Sequence, residues 1–435
     1  MKQILQHLPH YIKKITKQGF FHILVGNTLV KFISFFSAVL LPRILSKEEF
    51  GNLGFVDNII GYILLFNAIG LANAVLRFCS TTDDTARKAA ILRFCLKLGL
   101  AVDVVLAALM LPVVMFVPLS NFESARGVLI FSVFIPIASF MFDALTYYLR
   151  ANYRNKEFSR ISVIFTVVSA LTQIVLALRL RVFGAFTGRY LGFIAASFLT
   201  FLIIKKHLSK TAEGAPLVPV TLKRAEQKSI IIFSLGAMLS SCFSLIMPLN
   251  EQFVVNYILR EPILTANYKA ASLLPQNLQF ITMSIVVFIY PYFARNYLDG
   301  KWIWKHFKLV TIGLSAGIAM VALVGALLTP FLIHQIYGDK YNDIIGLMRF
   351  MWITFGINSA LRMPAGNILA AMGEVKFNLI VAIISCAIHF VLDVLFISAM
   401  GMHGAAYALT LAYIISAAIS VYFLYRRCKR VVAQA

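Results

Sequence analysis

Acidic side chains are the scarce class in this 435-residue chain: 18 Asp and Glu stand against 40 Lys and Arg, a formal net charge of +22. Charge of either sign is sparse too, at 13% of residues, while 60% are hydrophobic. A water-soluble surface needs more charge than that, so a soluble globular protein is excluded and an integral membrane protein is expected. Cysteine is also rare. Cys79, Cys95, Cys242, Cys386 and Cys428 show neither metal-ligand spacing nor a pairing pattern, which argues against a metal centre and a disulfide framework. The chain lacks a glycine-rich phosphate loop, a catalytic constellation and any polar stretch long enough for a separate soluble domain. Neither an enzyme nor a cofactor is therefore expected.

What the chain does have is a succession of apolar runs. Windows of about 20 residues place spans near 20–42, 52–76, 97–118, 127–149, 161–178, 184–204, 230–258, 263–294, 309–334, 344–372, 378–399 and 404–425. Sorting charges by gap, with Lys97 at a span edge counted outside it, separates two populations. The termini and even-numbered gaps carry 28 Lys/Arg and 7 Asp/Glu, the odd-numbered gaps 7 and 6, and the spans 5 of each. Nearly all the excess thus lies on one side, which the positive-inside rule assigns to the cytoplasm together with both termini. Topology accounts for the basic balance, and nucleic acid is not needed as a partner. The start, residues 1–19, mixes Lys2, Lys13, Lys14 and Lys17 with apolar residues and has no cleavage-site pattern. It reads as an amphipathic helix on the inner leaflet rather than a signal peptide.

The longest hydrophilic gap, 205–229, holds Gly214, Pro216 and Pro219 at mid-chain and reads as a linker. It separates a six-span bundle over 20–204 from another over 230–425, with a tail at 426–435. The halves echo each other. Gly184, Gly188 and Tyr190 entering span 6 resemble Gly401, Gly404 and Tyr407 entering span 12, and Leu149, Ala151 and Phe158 resemble Ile368, Ala370 and Phe377. An even number of spans gives both halves one orientation, a parallel repeat of the kind that surrounds a central cavity in transporters. The expected fold is therefore all-α, with about twelve transmembrane helices in two six-helix bundles around such a cavity.

The run Asn27-Thr-Leu-Val-Lys31, followed by Leu41-Pro-Arg-Ile-Leu45-Ser-Lys-Glu-Glu-Phe50-Gly51, resembles the first hairpin of Wzx-type polysaccharide flippases. These belong to the superfamily of MATE drug antiporters and the lipid II flippase MurJ. The resemblance continues through Ala266-Asn-Tyr268-Lys-Ala-Ala271 and Ala370-Ala-Met-Gly373-Glu-Val-Lys-Phe377. It implies an undecaprenyl-pyrophosphate-linked oligosaccharide, such as an O-antigen unit, as substrate. It also implies membrane lipid as surroundings, the bacterial inner membrane as location, and glycan polymerase and chain-length proteins as partners.

A charged side chain at mid-membrane costs roughly 2.5–3.5 kcal/mol on insertion scales, so each needs a partner, a watery cavity or a route to the interface. Arg189, Lys269 and Arg349 lie near span ends, where snorkelling and function are both open readings. Lys31 and Arg362 lie near the centres of spans 1 and 10. Helical spacing puts Asn27, Lys31 and Ser34 on one stripe and Asn358, Arg362 and Gly366 on another, with Pro364 expected to disturb its helix. The two cations are candidates for anion binding, against the alternative of a buried structural ion pair. Span 8 presents Lys269, Ser272, Gln276, Gln279 and Met283 on one face, and Asn250 joins Gln276 and Gln279 as a candidate for meeting hydroxyls. Span 5 repeats Ser162, Thr166, Ser169 and Gln173, which read as glue between helices.

Among the acids, Glu251, Asp57 and Asp393 are candidates for ion or proton coupling, with His389 four residues before Asp393 as a group able to change charge near neutral pH. Asp143 and Arg150 read as a cytoplasmic gate with Tyr147. A cation-coupled multidrug antiporter would use Glu251, Asp57 and Asp393 as its site. A non-transporting scaffold for glycan-assembly enzymes would tolerate loss of every deep charge.

Overall fold

The computed structural model describes residues 20–211 and 220–434. The expected amphipathic start over 1–19 and the middle of the expected linker lie outside the described residues. Among those described, every regular element is a helix. The α-helices are α1 (Phe20–Ile44), α2 (Lys47–Leu65), α3 (Leu71–Ser80), α4 (Thr85–Phe116), α5 (Arg126–Ser132), α6 (Ile135–Ala151) and α7 (Asn155–Thr211). They continue as α8 (Arg224–Leu259), α9 (Pro262–Leu273), α10 (Leu278–Arg295), α11 (Gly300–Leu332), α12 (Ile345–Ile357), α13 (Met363–Ala371) and α14 (Val375–Gln434).

Two of these are too long to be single spans. At 1.5 Å per residue the 57 residues of α7 would reach roughly 85 Å, nearly three times a hydrocarbon core of about 30 Å. The helix reverses at Arg181 (φ 54°, ψ −127°). Gly184, Gly188 and Gly192 then lie against Leu176, Gln173 and Ser169 in that order, an antiparallel register in which glycine lets the two arms meet backbone to backbone. The 60 residues of α14 reverse likewise at Gly401 (φ 60°), and Gly404 lies on the backbone of Phe396. The two hairpins are equivalent in a register that differs from the sequence match: Gly404 stands where Gly184 does, three residues after the reversal and against the residue eight before it, and Gly401 stands where Arg181 does.

By length and composition, five stretches can cross a membrane and nine can when each bent pair counts as one. Dividing α7 and α14 at their reversals gives eleven, and α1, a 25-residue apolar helix, is the twelfth. Among the described residues there are thus twelve helical spans, one for each expected from the sequence, which makes this a multi-pass all-α membrane protein.

The chain forms two compact units. Of the described residues the first holds 20–45, 59–119, 123–211 and 220–242, and the second 46–58, 120–122 and 243–434, so α2 divides after Asn58 and α8 after Cys242. In the first unit Leu71, Val75, Cys79, Ile91, Cys95, Phe140, Tyr148 and Leu149 form the core. The turn after α2 is strained there, with Ala68 and Ile69 at φ 43° and 46°. Asp103, fully buried, accepts the Ala68 N–H at 2.7 Å, so this intramembrane acid serves a broken helix.

In the second unit Phe293, Ile303, Phe307, Ile368, Leu369 and Leu424 form the core. Several contacts tie in the 46–58 segment. Phe55 stacks on Phe122 at 4.3 Å, Asn58 donates to the Leu249 carbonyl at 2.9 Å, Lys47 pairs with Asp343 at 2.6 Å, and Gly51 lies against the Pro262 backbone. The disturbance expected at Pro364 takes the form of a π-helical turn over Asn358–Arg362. A carbonyl it frees, that of Ser359, accepts the Thr282 hydroxyl at 3.0 Å.

Candidate functional site

The π turn fixes the position of Arg362 in the second unit. Its Nε donates to Ser416 Oγ at 2.9 Å, its Nη1 donates to Asn358 Oδ1 at 3.3 Å, and its guanidinium lies 5.5 Å from the Tyr413 ring centre. Among the described residues no carboxylate lies within ion-pair distance of it. Hydroxyl, amide and ring hold the group in place while leaving its charge unneutralised, which suits a cation that must meet an anion.

The acids of the same unit are engaged elsewhere. The Tyr268 hydroxyl donates to Glu251 Oε1. His389 Nε2 lies 3.3 Å from Asp393 Oδ2, with both side chains at most 1% exposed. Asp57 accepts from Lys269 Nζ at 2.8 Å, and the ammonium sits 5.3 Å from the Phe50 ring centre. Lys269 is therefore a compensated charge, in contrast to Arg362. Asn250 Nδ2 approaches Cys386 Sγ at 3.6 Å. The expected span-8 stripe is divided by a short 3₁₀ turn at Pro275–Asn277, with Gln276 exposed within that turn and Gln279 half-buried on α10. Arg349, exposed, donates to the Ala326 carbonyl at 3.2 Å.

In the first unit Lys31 is exposed in the middle of α1, and among the described residues it has no carboxylate partner. Asn27 is part of the same helix, but its side chain lies outside the description. Arg189 Nε donates to Gln173 Oε1 at 3.3 Å, Gln173 in turn donates to Ser169 Oγ at 2.8 Å, and the Arg189 guanidinium stands 4.6 Å from the Phe186 ring centre. Arg150 lies over the rings of Tyr147 and Phe158, at 5.8 and 5.1 Å from their centres, rather than in an ion pair with Asp143.

Ten charges inside the spans thus resolve into distinct groups. Asp57 and Lys269 neutralise each other, Asp103 and Glu251 accept from a backbone N–H and a phenol, and Asp393 lies buried beside the His389 imidazole without a hydrogen bond to it. Lys31 and Arg362, the two central cations, have no carboxylate among the described residues. Tyr413 and Ser416, which hold Arg362, were not singled out from the sequence. Their three-residue spacing on one face of the last span is the signal that could have found them.

This is a twelve-helix membrane protein in which two charged side chains of apolar helices, Lys31 and Arg362, lack a carboxylate among the described residues. The sequence profile described as "polysaccharide biosynthesis protein" matches residues 16–297, and the chain belongs to that family. Its fold is similar to the inward-facing conformation of a multidrug resistance MATE family transporter of the MOP superfamily. The TM-score is 0.73 at 14% identity, over 93% of this chain and 96% of that one. It is similar as well to the lipid II flippase MurJ in an inward closed conformation, with TM-score 0.70 and 16% identity over 94% of this chain and 89% of the other. No curated protein sequence matches it significantly.

Proposed function

We propose that the protein is a flippase that moves an undecaprenyl-pyrophosphate-linked oligosaccharide, an O-antigen unit or similar surface glycan, from the cytoplasmic to the periplasmic leaflet by alternating access. The observation that carries this reading, beside the family match, is the charge inventory. The pyrophosphate is the one strongly anionic part of such a substrate, and Lys31 and Arg362 are the central cations without carboxylates. Each would act as a counter-charge, Arg362 through a guanidinium already oriented by Ser416 and Asn358. Arg189 and Arg349 are proposed as outer contacts. Lys269, neutralised by Asp57, has a positioning role, and Gln276, Gln279, Asn250 and Asn27 meet hydroxyls. The prenyl tail stays in lipid throughout.

Glu251, Asp57 and the His389–Asp393 pair are proposed to couple transport to an ion or proton, and Asp143 with Arg150 to gate the cytoplasmic side. The protein would sit in the bacterial inner membrane with both termini cytoplasmic, beside glycan polymerase and chain-length proteins. An antiporter for cationic drugs is disfavoured by the same inventory, because its cargo would meet uncompensated positive charge.

The purified protein in liposomes, loaded with a fluorescent undecaprenyl-pyrophosphate-linked oligosaccharide, provides the test. Leaflet exchange measured by quenching should exceed that of protein-free liposomes at least tenfold, with no change in drug resistance when the protein is overproduced in cells. Resistance to cationic drugs without lipid exchange would replace this reading with the antiporter, and neither activity would favour a scaffold.

A further inference from the structure

Ser34, on the cation-bearing stripe of α1, and Ser37, one turn further on, border a cavity within the first unit. It measures about 290 Å³ and is lined by Ser34 and Ser37 from α1, Thr166, Ser169 and Gln173 from the first arm of α7, and Arg189 from the second. Phe165 and Phe193 line it too. Ligand pockets run from roughly 300 Å³ upward, so this space suits one small polar moiety and excludes a whole oligosaccharide.

The span-5 residues Thr166, Ser169 and Gln173 were expected to be glue between helices. Glue requires hydrogen bonds from one helix to the next. Thr166 instead donates to Ser162 O, its own i−4 carbonyl, at 2.8 Å, and Gln173 donates to Ser169 on its own helix. Among the described residues Ser34 and Ser37 donate nothing to α7. The two arms of α7 are held together by Gly188 against Gln173 and Gly192 against Ser169, by the Thr172 hydroxyl donating to the Gly188 carbonyl at 3.0 Å and by Arg189 Nε donating to Gln173 Oε1 at 3.3 Å, so the bonds between the arms engage Gln173 and leave Thr166 and Ser169 out. That face, with α1 opposite, borders the cavity.

The lining combines hydroxyls, an amide held in place by its neighbour, a guanidinium fixed over Phe186, and two further phenyl rings. Phe165 and Phe193, packed on each other at 4.8 Å with Phe165 on Phe142 at 4.6 Å, give the cavity an apolar wall for the C–H groups of a sugar ring, and the polar groups take its hydroxyls. Lys31 precedes Ser34 by three residues, less than one turn along the same helix. We infer that this cavity is a subsite for a single sugar residue of the headgroup, the one next to the pyrophosphate that Lys31 meets. The inference rests on the flippase reading and names which unit reads the glycan.

Cysteine protection tests it. The five native cysteines are replaced, Ser37→Cys is introduced, and the full chain in nanodiscs is exposed to a water-soluble thiol reagent. The lipids compared are undecaprenyl-pyrophosphoryl N-acetylglucosamine and undecaprenyl pyrophosphate, and binding of each is followed on the same sample by native mass spectrometry. A second variant, Ala38→Cys, on the same wall of the cavity, provides the measurement should Ser37→Cys fail to fold. The expected result is ready labelling, slowed at least fivefold by the sugar-bearing lipid and less than twofold by the sugar-free one. Binding of the sugar-bearing lipid without selective protection overturns the subsite and leaves the flippase reading in place. An unreactive cysteine overturns the subsite as well, because the cavity is then dry. Absence of binding by either lipid overturns both readings.

Discussion

Removing Asp57 should leave Lys269 as an unneutralised ammonium inside the second unit, and the size of that effect follows from its surroundings. Lys269 Nζ lies 2.8 Å from Asp57 Oδ2, with the side chains 21% and 26% exposed respectively. Breaking a fully buried pair by deleting one partner costs about 3–5 kcal/mol, whereas exposed pairs are worth about 1 kcal/mol or less. Partial exposure places Asp57→Ala between these, at about 2–3 kcal/mol, close to the cost of a lone charge on insertion scales. This is a loss of roughly 30- to 150-fold in the folding equilibrium constant. Lys269→Met should cost less, because the carboxylate left behind is somewhat more exposed than the ammonium and the partner's volume is retained. The double variant Asp57→Ala, Lys269→Met should recover part of the loss. Equilibrium unfolding in mixed micelles across the four proteins yields the coupling energy, expected to be at least about 1 kcal/mol. Additivity within about 0.5 kcal/mol would refute the pairing, and with it the distinction drawn between Lys269 and the two central cations.

Gly188→Ala should destabilise by about 1–3 kcal/mol, since the new methyl would meet the Gln173 backbone across the α7 hairpin, while Gly317→Ala, which opens onto free space, should be neutral or stabilising by up to about 1 kcal/mol. Equal effects in thermal unfolding of the two variants would contradict the hairpin. Asp103→Ala orphans the Ala68 N–H at the break after α2 and should cost about 1–3 kcal/mol, visible as faster hydrogen exchange at residues 66–71; unchanged exchange would show that the carboxylate is not what holds that turn. Ser416→Ala removes the acceptor that orients Arg362 and should slow transport about three- to tenfold without altering folding, whereas Ser416→Thr should retain most of the activity.

The spans were legible because a period and a length are local properties. So were the contacts of local spacing: Asn358 with Arg362, and His389 with Asp393, are each four residues apart on one helix. A glycine repeat was legible near both hairpins, but its register was not: the reversals fall at Arg181 and Gly401, and it is Gly184 and Gly404 that make the matching close contacts. Long-range pairing was not legible. Lys269 and Asp57 are 212 positions apart, and nothing in either segment names the other. Depth in the span already set Lys269 apart from Arg362, but that its charge is compensated required the partner. For the polar face of the first arm of α7, sequence spacing identified the stripe but not its neighbour, because the same residues serve packing or a cavity depending on how far α1 stands away. Tyr413 and Ser416 escaped notice because neither carries charge, although they determine how Arg362 is held.

The central claim is that Lys31 and Arg362 act on the substrate as positive charges. Its most direct measurement is flipping of undecaprenyl-pyrophosphate-linked oligosaccharide by Lys31→Ala and Arg362→Ala in liposomes, beside Lys31→Arg and with folding verified by unfolding midpoints. A charge-assisted contact worth about 1.5–3 kcal/mol predicts that each alanine variant loses roughly ten- to hundredfold or more in rate, and that Lys31→Arg keeps a substantial part. Wild-type rates in both folded alanine variants would contradict the account.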